Sequence, residues 1–173
     1  MKLNRIMNRL RSALRGPEHA ARKAGVAIGA DCRILSSIST SEPWLVSIGS
    51  RVTITGGVVF LTHDGTGFHV RDERGRRYRY APITLDDDVF VGQNAILLPG
   101  VRIGRGSIVA AGSVVTKSIP PGVVVAGNPA RLITTRAEFE TRALSWPAKA
   151  DMTGLTLREQ IDSVAETEHR PEM

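Results

Sequence analysis

One cysteine in 173 residues, Cys32, has no partner for an internal disulfide, and a lone thiol without histidine companions makes no zinc site. Aromatic residues are nearly as scarce, at 5% against 42% hydrophobic residues overall, so the core must be narrow and filled by Val, Ile and Leu. No apolar run approaches the ~20 residues of a membrane-spanning helix. The N-terminus also lacks the continuous apolar stretch of a signal peptide, and a cytoplasmic protein is expected. Acidic excess is missing too, for the chain carries a net charge of +6.

All of that net charge sits in residues 1–25, where seven Lys and Arg face only Glu18. Within this segment Leu3, Ile6, Met7, Leu10 and Leu14 fall on one face of a helix whose other face is arginine. Such a stripe serves either to cover the open end of a stacked fold or to contact the anionic inner face of a membrane. Nucleic acid is not expected, because no aromatic platform interleaves with the basic residues. At the other end, residues 135–145 and 156–168 read as two acidic helices separated by Pro147 and Gly154, a C-terminal helical extension over 134–173 that caps the fold or a neighbouring subunit.

Between these ends the chain repeats every six residues. Leu85, Val91, Leu97, Ile103, Val109 and Val115 open successive hexads, and the same phase holds at Ile28 and Ile34 and at Ile48, Ile54 and Phe60. Strand side chains alternate in and out, so a hexad supplies an inward aliphatic, a small inward neighbour and a tight corner. Three hexads close a coil of about eighteen residues, and coils stack about 4.8 Å apart; the period predicts an all-β parallel solenoid over residues 26–133. Gly follows Ile28, Ile48, Val91 and Ile103, where the chain is expected to turn. Twelve hexads make four coils, and residues 119–130 begin a fifth.

Two breaks in phase locate the chemistry. Ile34 to Ile48 is 14 residues, two more than two hexads, which predicts a bulge near residues 40–44. Phe60 to Leu85 is 25, so a long excursion over about 64–82 leaves the coil after His63 and returns by Ile83; a loop that long in a tight solenoid is usually functional. Hexads three apart stack in one column. The column of His63 therefore also holds the bulge near Glu42, the Pro99-Gly100 corner and Thr116-Lys117, the last pair roughly 10 Å above His63.

Of the four histidines, His19 and His169 lie in the terminal segments and His69 within the excursion; only His63 is held by a rigid corner. Imidazole suits a general base at working pH, although a lone histidine in such a place is as often structural as functional.

The stretch Thr62-His63-Asp64-Gly65, the loop ending in Tyr78-Arg79-Tyr80-Ala81-Pro82-Ile83 and the run from Val89 to Ile133 together resemble the hexapeptide-repeat acetyltransferases. The similarity is nearest to galactoside and maltose O-acetyltransferases, nodulation-factor acetyltransferases and the sugar acetyltransferases of capsule and exopolysaccharide synthesis. It implies a left-handed parallel β-helix, a homotrimer with a site in each groove between prisms, and acetyl-CoA as acyl donor without a metal. His63 would be the catalytic base. Gln93 and Ala111 match positions lining the pantetheine channel, Thr116 and Lys117 a pair beside the pantetheine and adenosine portions, and Arg131 a basic residue near the nucleotide phosphates. A cation there is chemically sensible, although Lys117 and Arg131 also read as solvated charges and Ala111 as corner packing.

Where galactoside and maltose enzymes have an Asn that helps hold the acceptor, this chain has Ser36-Ser37. Glu42 stands where those enzymes place acidic residues on sugar hydroxyls. Tyr78 and Tyr80, among five arginines of the excursion, suit stacking on sugar rings and pairing with acidic groups. The expected activity is O-acetylation of a glycan, glycolipid or nucleotide-linked sugar. Transfer to an amino-sugar nitrogen or small xenobiotic, and a non-catalytic scaffold, are the alternatives. A γ-class carbonic anhydrase would need three converging histidines, and the coils supply His63 alone.

Overall fold

The repeat becomes structure through strands of only two to four residues. A computed structural model describes residues 16–167, and the chain divides after Arg136 into two compact units. In the first unit, β1 (Ala27–Ile28), β3 (Val46–Ile48), β10 (Ile83–Leu85) and β13 (Arg102–Ile103) pair in parallel into one face. A second face stacks β2 (Arg33–Ile34), β4 (Thr53–Ile54), β11 (Phe90–Val91), β14 (Ile108–Val109) and β16 (Val123–Ala126), again all parallel. The third holds β5 (Val59–Phe60), β12 (Ile96–Leu97) and β15 (Val114–Val115).

Register follows the hexad phase. Ile28, Ile48, Leu85 and Ile103 align in one column, Ile34, Ile54, Val91, Val109 and Val125 in the next, and Phe60, Leu97 and Val115 in the third, all of them buried. Parallel bridges from Ser39 to Val59 and from Ile103 to Ile119 complete four coils and open the partial fifth. Apart from Phe60 the inward columns are aliphatic, which is why so few aromatics suffice.

The glycines after Ile28, Ile48, Val91 and Ile103 stand at corners for a reason other than the turn itself. A Cβ on Gly92 would come within 2.4 Å of the Ala111 backbone nitrogen, and one on Gly49 within 2.7 Å of the Asp87 nitrogen. The neighbouring coil leaves no room. Left-handed backbone falls two residues beyond the glycine position, at Asp31, Arg51, Asp88 and Asn94, with φ between 56° and 60°. Asp and Asn tolerate that region well; Arg51 does so while gripping Asp88 with two bonds of 2.6 and 2.8 Å. The Arg51 guanidinium in turn holds the Asp88 carboxyl below the usual carboxylate range.

Helix α1 (Gly16–Ala24) starts with Pro17 in its first turn and buries Ala21 in the core. Arg22 donates to the carbonyls of Ile28 and Gly29 and is held by Glu18, so backbone acceptors on the outermost coil are not left unpaired. The expected apolar stripe from Leu3 to Leu14, and His169, lie outside the described residues.

The C-terminal elements depart from the sequence reading. The last parallel strand is β16, and β17 (Arg131–Thr135) turns back and pairs antiparallel with it, Ala126 opposite Arg131 and Val123 opposite Thr135. Gly127-Asn128-Pro129 makes the reversal, and the β-branched residues after it were the available signal. Beyond it, α2 (Arg136–Ala143) and α3 (Leu157–Asp162) are both shorter than the expected spans. Helix α3 opens on a reciprocal cap between Thr156 and Glu159, whose carboxyl is lowered by those backbone bonds. It stops where the Ser163 hydroxyl bonds the Gln160 carbonyl at 2.8 Å and competes with the backbone. Among the described residues no helix is long and apolar enough to cross a membrane.

Candidate active site

Both interruptions of the repeat open at one corner of the prism, where the third face hands the chain to the first. The early one is a short 3-10 turn, Pro43–Leu45, introduced by Glu42. The later one begins as β6 (His63–Asp64), which pairs antiparallel with β9 (Arg79–Tyr80), His63 opposite Tyr80. Between them lie a 3-10 turn, Gly65–His69, and a tight hairpin of β7 (Arg71–Asp72) and β8 (Gly75–Arg76). The Asp64 side chain caps the turn by accepting from the Thr66 amide and hydroxyl, and these bonds hold its carboxyl below the usual range.

Alternation along β5 continues past the strand. Val58, Phe60 and Thr62 point inward and Thr62 is 1% exposed, so its hydroxyl needs partners. It finds them in a chain: the Thr40 hydroxyl lies 3.1 Å from it, and Thr62 Oγ1 donates to Glu42 Oε2 at 2.5 Å. The same Glu42 oxygen lies 3.0 Å from His63 Nδ1. The Thr62 bond, then the His63 bond, hold the Glu42 carboxyl below its ordinary value, so it is an ionised acceptor. A carboxylate can only accept, which makes Nδ1 the protonated nitrogen and gives Nε2 the lone pair. Nε2 has no protein partner among the described residues.

His63 borders a cavity of about 400 Å³ lined also by Leu61, Asp64, Gly65, Arg79, Leu98, Pro99 and Thr116. A smaller one of about 170 Å³ lies toward Ser39, Thr40 and Thr62. The vertical column expected of His63, Pro99 and Thr116 is thus one continuous wall. Tyr80 stands over His63 with ring centroids 5.7 Å apart, and Tyr78 lies nearly parallel to Tyr80 at 6.2 Å.

The remaining expected residues are elsewhere. Lys117 is exposed beside Thr116. Gln93 and Ala111 are exposed at the opposite edge of the third face, one coil apart, where the Gln93 carbonyl accepts from Gly112 at 2.7 Å. Arg131 is exposed at the start of β17. A single chain therefore gathers Glu42, His63, Thr116 and Tyr80 and does not bring Gln93, Ala111 or Arg131 to them. Sequence reasoning missed Thr40 and Thr62 as parts of the site; the inward phase of Thr62 after Phe60 was the signal that could have found it.

Comparison with known proteins fits this geometry. The family described as Bacterial transferase hexapeptide (six repeats) matches residues 82–117. Protein CapG of Staphylococcus aureus is 46% identical over 130 residues, which cover 73% of this chain and 76% of CapG. The chain belongs to the hexapeptide-repeat acetyltransferase family. A maltose O-acetyltransferase from Clostridium difficile 630 shares its fold with a TM-score of 0.54 and 26% identity, over 68% of this chain and 73% of that one. A galactoside acetyltransferase solved in complex with coenzyme A gives 0.51 and 26%, over 66% and 67%.

For a hexapeptide-repeat acetyltransferase the hand of the coil follows: the three faces belong to a left-handed parallel β-helix. The matched repeats coincide with the third and fourth coils, and neither Glu42, Thr62 nor His63 falls within them. The family match reads the scaffold; the candidate chemistry lies where the repeat fails.

Proposed function

We propose that the protein transfers an acetyl group from acetyl-CoA to a sugar hydroxyl, with His63 as general base, in the assembly of a surface polysaccharide. The observation that carries this reading is the shared Glu42 oxygen, 2.5 Å from Thr62 and 3.0 Å from His63, which fixes the tautomer and leaves Nε2 facing outward as a base. Nε2 takes the hydroxyl proton as the oxygen attacks the thioester carbonyl. The new C–O bond forms, the C–S bond breaks, and the imidazolium returns its proton to the departing sulfur. No covalent enzyme intermediate is needed. Glu42 acts here on the histidine, through an oxygen shared between Thr62 and His63. Tyr78 and Tyr80 flank the acceptor side.

The same reading includes a homotrimer. Outward residues of the first face are Ala27, Ser47, Thr84 and Arg102, whereas those of the second and third include Phe90, Ile108, Val59, Ile96 and Val114. Contiguous apolar surface of that kind seeks a partner. Gln93 with Ala111 and His63 with Thr116 mark the two edges of the third face, so a symmetric neighbour completes the donor groove that one chain leaves divided. Thr116, Lys117 and Arg131 then serve the pantetheine and nucleotide phosphates. Acetyl-CoA as donor fits a reaction in the cytoplasm.

Free thiol released from acetyl-CoA, measured over a panel of sugars, nucleotide sugars and envelope glycolipids for wild type and His63→Ala, tests the proposal. Release that requires both an acceptor and His63 is expected. Acceptor-dependent release that persists in His63→Ala overturns the assigned base, and absence of acetyl-CoA binding overturns the activity.

A further inference from the structure

The excursion holds an arrangement that neither the coil nor the transfer step explains. Arg71 and Arg76 face each other across the β7–β8 hairpin, like charges on directly paired residues, a placement that destabilises a hairpin unless something neutralises it. Both guanidinia rest against the Phe68 ring, at 5.1 and 4.8 Å from its centroid, and Arg76 is also 4.7 Å from the centre of Tyr78. Of the loop's three carboxylates, Asp72 pairs with Arg77, Asp64 lies 4.0 Å from Arg79, and Glu73 makes no ion pair among the described residues. Neither Arg71 nor Arg76 has a carboxylate partner among the described residues. Phe68 and Tyr78 are 48% and 63% exposed, so the aromatic faces that hold these cations are open to solvent.

A guanidinium shared by two rings keeps its N–H edge free and fixed in direction, which suits bidentate recognition of a carboxylate or phosphate. From Arg76 a line of rings leads to the base: Tyr78, then Tyr80 at 6.2 Å, then His63 at 5.7 Å. Taking His63 as the base that the preceding section assigns, the geometry points to an anionic acceptor. Its reacting sugar lies on Tyr80 with a hydroxyl at His63, and its oxyanion, borne one or two units away, binds Arg76 with Arg71 in support. The specificity site for charge is therefore the tip of the excursion. The shared ligand chemistry is a planar or tetrahedral oxyanion attached to a sugar.

Ligand titration followed by NMR on the full chain tests this without turnover, using two matched pairs: trigalacturonate against maltotriose, and maltose 1-phosphate against maltose. Wild type is expected to bind at least one anionic probe roughly tenfold or more tightly than its neutral partner, the change associated with one charge-assisted hydrogen bond. Arg76→Met, which keeps the stem against Phe68, abolishes that preference, and Arg71→Met weakens it. Preference for trigalacturonate identifies a carboxylate ligand, and preference for maltose 1-phosphate a phosphate. Equal binding within both pairs, or a preference that survives in Arg76→Met, overturns the inference. His63→Ala retains the preference, so anion-selective binding in a protein that transfers no acetyl group sinks the proposed activity and leaves this site standing.

Discussion

Coils three and four, from Leu85 to Val115, keep their six-residue phase without a fault, and coils one and two break it twice. The regular half carries the scaffold: buried columns of Leu85, Val91, Leu97 and their successors, with glycine where the next coil would collide with a side chain. The irregular half carries the candidate chemistry, because the two extra segments open at the same corner and bring Glu42 against Thr62 and His63. A solenoid has little freedom to place a polar cluster, since most inward positions are small or apolar and the corners are tied to the coils beside them. Inserting residues at one corner releases that constraint locally. The division of labour makes separable predictions for the two halves.

The largest effect belongs to the irregular half. His63→Ala is expected to lower kcat by about 10² to 10⁴-fold, the usual contribution of a general base, with Tm little changed because the side chain is 42% exposed. Thiol release and a thermal melt on the same preparation check both parts. A loss of rate accompanied by a large fall in Tm would erase the separation, since His63 would then be part of the scaffold.

Glu42→Gln probes the same cluster one step removed. The neutral amide still fits, but it no longer stabilises the positive charge that the imidazole acquires, so kcat falls roughly 10- to 100-fold. The KM for acetyl-CoA is unchanged, because Glu42 faces the histidine. A rise in the acceptor KM with an intact kcat would return Glu42 to sugar binding, as the resemblance first suggested.

In the regular half the expected signature is reversed. Gly92→Ala drives a Cβ into the backbone of Ala111 and should destabilise the fold by about 1–3 kcal/mol, read as a lower Tm. Gly56, one coil away, has nothing within 4 Å of its missing Cβ, and Gly56→Ala is expected to be neutral or slightly stabilising. Equal effects at the two glycines would mean that contact between coils is not what selects glycine.

What could be read from sequence divides along the same line. Hexad phase located the columns, the coil count, the bulge and the excursion, because an inward aliphatic every six residues is a local pattern that stacking repeats. The His63 column was legible for the same reason. Thr62 and Thr40 were not, since their importance comes from a hydroxyl relay between segments 22 residues apart. The antiparallel return of β17 was missed because it ends the periodicity. The place of Glu42 is legible in the sequence and its partners are not: a carboxylate on a bulge looks solvated until the neighbouring coil supplies a buried threonine.

The smallest effect should come from that threonine. Thr62→Val keeps the shape of a side chain that is 1% exposed and removes the hydroxyl donating to Glu42. That bond is the first cause of the lowered Glu42 pKa, so in the variant the carboxyl moves back toward its ordinary value of 4.5. A carboxyl whose folded pKa is depressed contributes stability above its unfolded value and loses it as pH falls through the folded one. Wild type should therefore melt a few degrees above Thr62→Val at neutral pH, and the gap should narrow as pH drops below 4.5. The wild-type rate has a matching signature: Glu42 keeps its charge down to that pH, so any decline at higher pH comes from another group. A Tm gap that is constant from neutral pH into strong acid would detach Thr62 from Glu42 and leave the corner held by packing alone.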